Sequence, residues 1–166
     1  MAINQDNLRI SPATESDIPA MITLIRELAE YEKLTHLCVI TEEHLKRALF
    51  GPVKFAEALM ARAGSQSAGY AIFFHNFSTF LGSPGIYLED IYVTPSLRGR
   101  GIGKKLLVEV GRIAHERGCG RLEWSVLNWN KPAIDFYESL GAKALNEWTM
   151  YRLDQSAIAN LVKKNS

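Results

Sequence analysis

The stretch Val93–Leu107, VTPSLRGRGIGKKLL, is the most constraining part of the chain. It sets Gly99, Gly101 and Gly103 among Arg98, Arg100 and Lys104, between two regular runs. The apolar run IYLEDIYV, Ile86–Val93, reads as a strand and, being mostly apolar, as a central one. Ile102, Leu106, Leu107, Val110, Ile113 and Ala114 then mark a helix that ends near Gly118. A helix start leaves its first N–H groups unpaired, and the helix dipole adds positive potential there. Glycines let the backbone close around a bulky anion. The junction is thus suited to cradle a phosphate or pyrophosphate, with Arg98 and Arg100 adding charge-assisted hydrogen bonds.

Spacing rules out two common phosphate loops. A Walker A motif needs a hydroxyl after its Gly-Lys pair, and Lys105 follows Gly103-Lys104. A dinucleotide fingerprint needs G-x-G-x-x-G, whereas Gly99, Gly101 and Gly103 alternate. A glycine turn chosen only for geometry is the remaining alternative, and the flanking arginines argue against it.

The rest of the chain reads as alternating short elements. Leu8–Ala13 is a strand, and Thr14 with Asp17 opens a helix in the manner of a capping box, Asp replacing Glu. Ile18, Met21, Ile22, Ile25, Leu28 and Ala29 continue that helix, and Thr41 caps a second one bearing Leu45, Ala48 and Leu49. Lys54–Ala63 and Ala68–Asn76 form a hairpin about GSQS, and Phe77–Gly85 reads as a loop. Arg121–Leu127 is a fifth strand. Pro132 suits the first turn of a short helix that Gly141 stops. Glu147–Asp154 reads as a last strand, followed by a helical tail. A hairpin followed by a β-α-β unit gives an α/β (α+β) fold, a mixed central sheet with helices on both faces.

The 166 residues suit one domain spanning 1–166. A net charge of +1 provides no broad basic field for nucleic acid or an anionic membrane. The N-terminal run lacks the apolar core of a signal peptide, and the longest apolar run, Ala68–Phe74, is too short to span a bilayer. Cys38 and Cys119 form neither a disulfide framework nor a metal-ligand spacing, which fits reduced thiols in the cytoplasm.

Arg98-x-x-Gly101-x-Gly103, entered by a strand and opening a helix, resembles the pyrophosphate-binding motif of the GNAT acetyltransferases. YLEDIYV before it, WNKPAIDFYESLGA after it and RELAEYEKL near the N-terminus are similar to the spermidine/spermine and thialysine N-acetyltransferase branch. The resemblance runs from Leu8 to about Asp154. It implies a splayed central sheet, acetyl-CoA as co-substrate, no metal, a small primary amine as acceptor and a homodimer.

The resemblance also implies a distribution of roles. The backbones of Ile91, Tyr92 and Val93 pair with the pantetheine arm, beside a bulge that opens the sheet. Arg98, Gly99, Arg100, Gly101, Ile102, Gly103 and Lys104 take the pyrophosphate. Asn130, with Lys131 and Ala133, touches the cofactor; a plain helix cap is the other reading of Asn130 and is compatible. Tyr137 is the general acid that protonates the departing thiolate, its alternative being a packed aromatic. Glu89 removes the amine proton through water, or is a buried ion-pair partner; the two readings stand level. Asp90, on the opposite face by alternation, is structural. Tyr31 and Glu32 contact the acceptor, and Glu89, Glu123 and Ser125 also face it. His75 and His115 carry no motif.

The chain departs from the polyamine enzymes at HNFSTFLGSPG, which lacks their acidic residue, and in the short AKALNE stretch. YLEDIYVTPSLRGRGIG is closer to the thialysine type, so a small diamine or a lysine-like amino acid stands beside spermidine as acceptor. A protein lysine or N-terminus is an alternative acceptor, and a non-catalytic acetyl-CoA sensor is an alternative role; the presence of Tyr137, Asn130 and Glu89 argues against the sensor.

Overall fold

A computed structural model describes residues 7–165. The chain forms two compact units, one running to Ser125 and the other from Val126 on.

The first unit is built on a five-stranded sheet in sequence order: β1 (Leu8–Pro12), β2 (Glu57–Ala63), β3 (Gln66–Ser78), β4 (Ser83–Val93) and β5 (Leu122–Trp124). β1 to β4 pair antiparallel, and β5 lies parallel to β4. That parallel pair is joined by α3 (Ile102–Glu116), the β-α-β unit expected from the sequence. α1 (Ile18–Tyr31) and α2 (Glu42–Phe50) bury Met21, Ile22, Ile25, Leu45 and Leu49 with Met60, Tyr70, Ile72 and Tyr92 of the sheet. The alternate residues Leu59, Ala61, Ala71 and Phe73 are also buried, and α3, which packs on β3 and β4, buries Leu106 and Val110. Period-two alternation thus supplies two cores, one on each face.

The helix starts follow their sequence signals. The Asp17 carboxylate accepts from the Thr14 N–H at 2.8 Å, and the Thr41 hydroxyl accepts from the His44 N–H at 3.2 Å. Asp17 also pairs with Arg62 of β2, which ties the start of α1 to the sheet.

Three elements differ from the sequence expectation. The run Phe77–Gly85 is not a loop: β3 continues to Ser78 and β4 begins at Ser83, so only residues 79–82 turn. Pairing across the hairpin overrides the weak strand preference of Ser, Pro and Gly there. β5 is shorter than Arg121–Leu127, because its ladder to β4 covers only Leu122–Trp124. Residues 147–154 form no strand. Their apolar side chains read as a strand, but no ladder in the structure takes them up, and Trp148, Met150, Tyr151 and Leu153 are exposed.

The second unit contains α4 (Lys131–Ser139), with Pro132 in its first turn, and α5 (Gln155–Asn165). Among the described residues no helix is long and apolar enough to cross a membrane.

Candidate active site

β4 is broken where the sheet opens. Phe73 faces Leu88 and Ile72 faces Asp90, so Glu89 is an extra residue without a partner on β3. This is a β-bulge, and it shifts the phase of the strand. Leu88 pairs with Phe73 of one core, whereas Asp90 pairs with Ile72 of the other. On the far side, the ladder to β5 stops at Leu88. From Glu89 to Val93 the outer edge of β4 therefore leaves the sheet ladder. Ile91, Tyr92 and Val93 stay paired on the inner side with Ala71, Tyr70 and Gly69.

The bulge sets Glu89 and Asp90 side by side, with Tyr70 of β3 against Asp90. Glu89 is exposed and makes no ion pair among the described residues, which removes its reading as a buried partner. The Asp90 carboxylate accepts a hydrogen bond from the Tyr70 hydroxyl at 3.2 Å. Burial pushes the Asp90 carboxyl up to about 6, and the Glu89 and Glu32 charges add to that rise. Tyr70 is fully buried and its phenol is held well above its ordinary value, by burial first and by Asp90 next. Burial also raises the carboxyl of Glu32, which follows the last residue of α1. Glu32, Glu89 and Asp90 thus share one electrostatic site.

Past Val93 the chain turns through Pro95–Leu97 to the glycine loop. Buried Leu97 and Ile102 anchor the loop on either side, while Gly99, Arg100, Gly101 and Lys104 are exposed. Gly101 caps α3 with φ +77, in the left-handed region where a Cβ is strained. The bond from the Lys105 N–H to the Gly101 carbonyl, 3.0 Å, opens the intrahelical ladder. The N–H groups of Ile102, Gly103 and Lys104 precede it at the positive end of the helix. A bare, exposed backbone with free donors and two flanking cations fits a pyrophosphate.

Arg98 is held on its own side of this loop. Its Nε donates to the Val93 carbonyl at 2.9 Å. Its guanidinium lies 4.5 Å from the Tyr31 ring centroid and 5.3 Å from that of Tyr92.

On β5, Glu123 is half-buried. Its carboxylate accepts from the Asn76 amide at 3.0 Å and pairs with Arg121. The Ser125 hydroxyl is 2.7 Å from that of Tyr87. These two side chains are tied to the sheet.

In the second unit, Asn130 occupies the N-cap position of α4 and is buried, but its side chain makes no capping hydrogen bond to the helix start. Its carbonyl accepts from the Ala133 and Ile134 N–H groups, each at 3.1 Å. Exposed Lys131 pairs with Asp135. Tyr137 is half-buried and its ring meets that of Phe136 at a tilt of 52°, with centroids 5.3 Å apart.

Sequence reasoning missed the Tyr70–Asp90 pair. Strict alternation places Asp90 on the same face as Leu88, and only the bulge brings it to Tyr70. An acid inside an apolar strand was the available signal.

A sheet that breaks at a bulge, beside a glycine loop leading into a helix, is the frame that sequence comparison assigns to a known family. Residues 22–142 match the model of the Acetyltransferase (GNAT) family; the chain belongs to this family and is an N-acetyltransferase. It is 41% identical to a bovine thialysine N-epsilon-acetyltransferase, covering 93% of this chain and 97% of that one. It is 33% identical to an L-ornithine N5-acetyltransferase of Arabidopsis thaliana, covering 95% and 89%. Among solved structures, an integron cassette protein of V. cholerae superposes with a TM-score of 0.80 at 25% identity, covering 95% and 98%.

Proposed function

We propose that this chain, working as one acetyltransferase domain, moves an acetyl group from acetyl-CoA to a primary amine of a small cationic acceptor, a lysine-like amino acid or a diamine. The observation that carries the reading is the break in β4. The strand edge is released at Glu89, three carboxylates sit beside the break, and the same strand leads into the glycine loop. Two relatives named for basic amino acids, thialysine and ornithine, support the acceptor class.

Acetyl-CoA supplies the activated acetyl group as a thioester. The loop from Arg98 to Lys104 binds its pyrophosphate, and the released edge at Ile91–Val93 offers backbone groups to its arm. Asn130, Lys131 and Ala133 complete the cofactor contacts. A free alkylammonium has a pKa near about 10.4 and is almost fully protonated at neutral pH. It must lose a proton before it attacks. Glu89, exposed at the bulge, takes that proton through water. Glu32 and Asp90 favour a cation at the same place, and Tyr31, Glu123 and Ser125 border the acceptor. Tyr137 gives the departing sulfur its proton.

The test is coenzyme A release, followed with a thiol reagent, against thialysine, lysine, ornithine, putrescine, spermidine, spermine, aminoglycosides and a lysine peptide. Release with a basic amino acid or a diamine is the expected result. Release only with the peptide would move the acceptor to proteins. Failure to bind acetyl-CoA would end the acetyltransferase mechanism for this chain.

A further inference from the structure

Tyr31 and Arg98 touch across the two halves of the site. Tyr31 is the last residue of α1 and borders the acceptor side, whereas Arg98 opens the donor loop. Tyr92 of β4 meets the same guanidinium, and Val93 accepts from its Nε. One turn before Tyr31, Glu27 accepts from the Thr94 hydroxyl at 3.1 Å and also hydrogen-bonds Tyr92. The end of α1 is thus fastened to the segment that enters the glycine loop.

A guanidinium donates only in its own plane. Here the tyrosine rings contact the group, the Val93 carbonyl takes its Nε and the Tyr92 hydroxyl hydrogen-bonds it as well, so the donors left for a ligand are the remaining Nη hydrogens. An exposed arginine without such contacts samples many rotamers, and a bound anion would then have to order it. Phosphate is the acceptor that suits an oriented fork of N–H groups.

We infer that Tyr31 is a positioning residue for the donor: its ring holds Arg98 in the orientation that receives the pyrophosphate, so coenzyme A affinity depends on the end of α1. The inference rests on the donor-site reading above and adds a role for a residue otherwise assigned to the acceptor.

The test measures the Kd of coenzyme A by calorimetry with no amine present. Tyr31→Leu is expected to weaken binding by roughly three- to tenfold, the range of a cation–π contact at a partly exposed site. Tyr31→Phe keeps the ring and is expected to stay within about twofold. In an Arg98→Leu background, Tyr31→Leu is expected to add nothing, because the two residues act as one unit. Melting curves check that each variant is folded, and Tyr31→Met serves where Leu lowers the melting temperature. An unchanged coenzyme A Kd in folded Tyr31→Leu or Tyr31→Met overturns the inference while leaving the acetyltransferase mechanism standing. So does an equal loss in the Arg98→Leu background. Absence of coenzyme A binding by the unaltered chain defeats the donor-site reading itself.

Discussion

The Tyr70 hydroxyl donates to the Asp90 carboxylate at 3.2 Å, between β3 and the strand that carries the bulge. Tyr70 is fully buried, so the pair fixes the carboxylate on the α1 face just where β4 changes phase. The hydrogen bond lowers the cost of the charge, but burial and the charges of Glu89 and Glu32 outweigh it. The bulge is held in place by a carboxyl whose burial favours the neutral form more than in an ordinary aspartate.

That preference makes stability depend on pH. A carboxyl raised in the folded state binds more protons folded than unfolded, so stability falls as pH rises through the window between its two values. For Asp90 the window runs from 3.8 to about 6. Above it the penalty is complete, at most about 3 kcal/mol for a shift of this size. Asp90→Asn keeps an acceptor for Tyr70 and removes the charge. It is expected to be more stable than the unaltered chain by about 1–3 kcal/mol at pH 8 and equal to it near pH 4. Urea unfolding at the two pH values measures the difference; a loss of stability at pH 8 would show that the ionised carboxylate is favoured.

Gly69 faces Val93 across β3 and β4. A Cβ added there would press into the Tyr92 carbonyl oxygen and approach the Val93 Cα at 3.2 Å, both backbone atoms. Gly69→Ala must push β4 away and is expected to cost about 1–3 kcal/mol. Because the displaced residues are those of the released edge, coenzyme A affinity is expected to fall with stability. Calorimetry beside urea unfolding tests both, and an unchanged midpoint would mean that the strands separate freely at Val93.

The sequence carries the periodic parts of this fold plainly. The continuous apolar runs of β2 and β3, the helical spacing of α1 and α3 and the caps at Thr14 and Thr41 are local signals, and local structure follows them. Glycines at Gly99 and Gly101 mark the loop because L side chains rarely adopt their backbone angles. What could not be read depends on partners distant in the chain. The resemblance implies a bulge on this strand, but nothing local places it at Glu89, and it moves Asp90 to the opposite face. Arg98 looks like a phosphate ligand from its neighbours, and nothing local shows that Tyr31 lies against it. Residues 147–154 have strand-like residues but no ladder, and a strand is defined by its neighbour. Arg62 likewise gives no hint that it answers Asp17.

The Asp17–Arg62 pair joins the start of α1 to β2, with Asp17 buried and Arg62 half-buried. Burial alone would raise the Asp17 carboxyl, but the bonds from the Thr14 N–H, the Arg62 guanidinium and the Thr14 hydroxyl hold it below its ordinary value. Asp17→Ala removes the acceptor of the Arg62 Nη2 and of the Thr14 N–H, leaving Arg62 only its bond to the Ser11 hydroxyl, and is expected to cost about 1–3 kcal/mol at neutral pH. A lowered carboxyl contributes above its ordinary 3.8 and loses that contribution as pH falls below it. The gap between variant and unaltered chain is therefore expected to close in acid, as followed by thermal melts from pH 7 to pH 3. A gap that persists at pH 3 would assign the loss to packing rather than to charge.

Tyr137 carries the sharpest prediction about turnover. It sits in the last turn of α4, half-buried, with its ring against Phe136. Removing only the hydroxyl leaves that ring contact and the backbone of α4 intact, so Tyr137→Phe isolates the proton. If the phenol protonates the departing sulfur, the variant is expected to bind coenzyme A as before and to lose about 10- to 1000-fold in kcat, with little change in amine KM. The deficit should shrink for a thioester whose thiol is more acidic, because such a sulfur leaves without a proton. Steady-state kinetics with acetyl-CoA and with an acyl donor of lower thiol pKa separate the outcomes. An unchanged kcat, or a loss shared equally by both donors, would mean that Tyr137 packs α4 and that the proton reaches the sulfur from elsewhere.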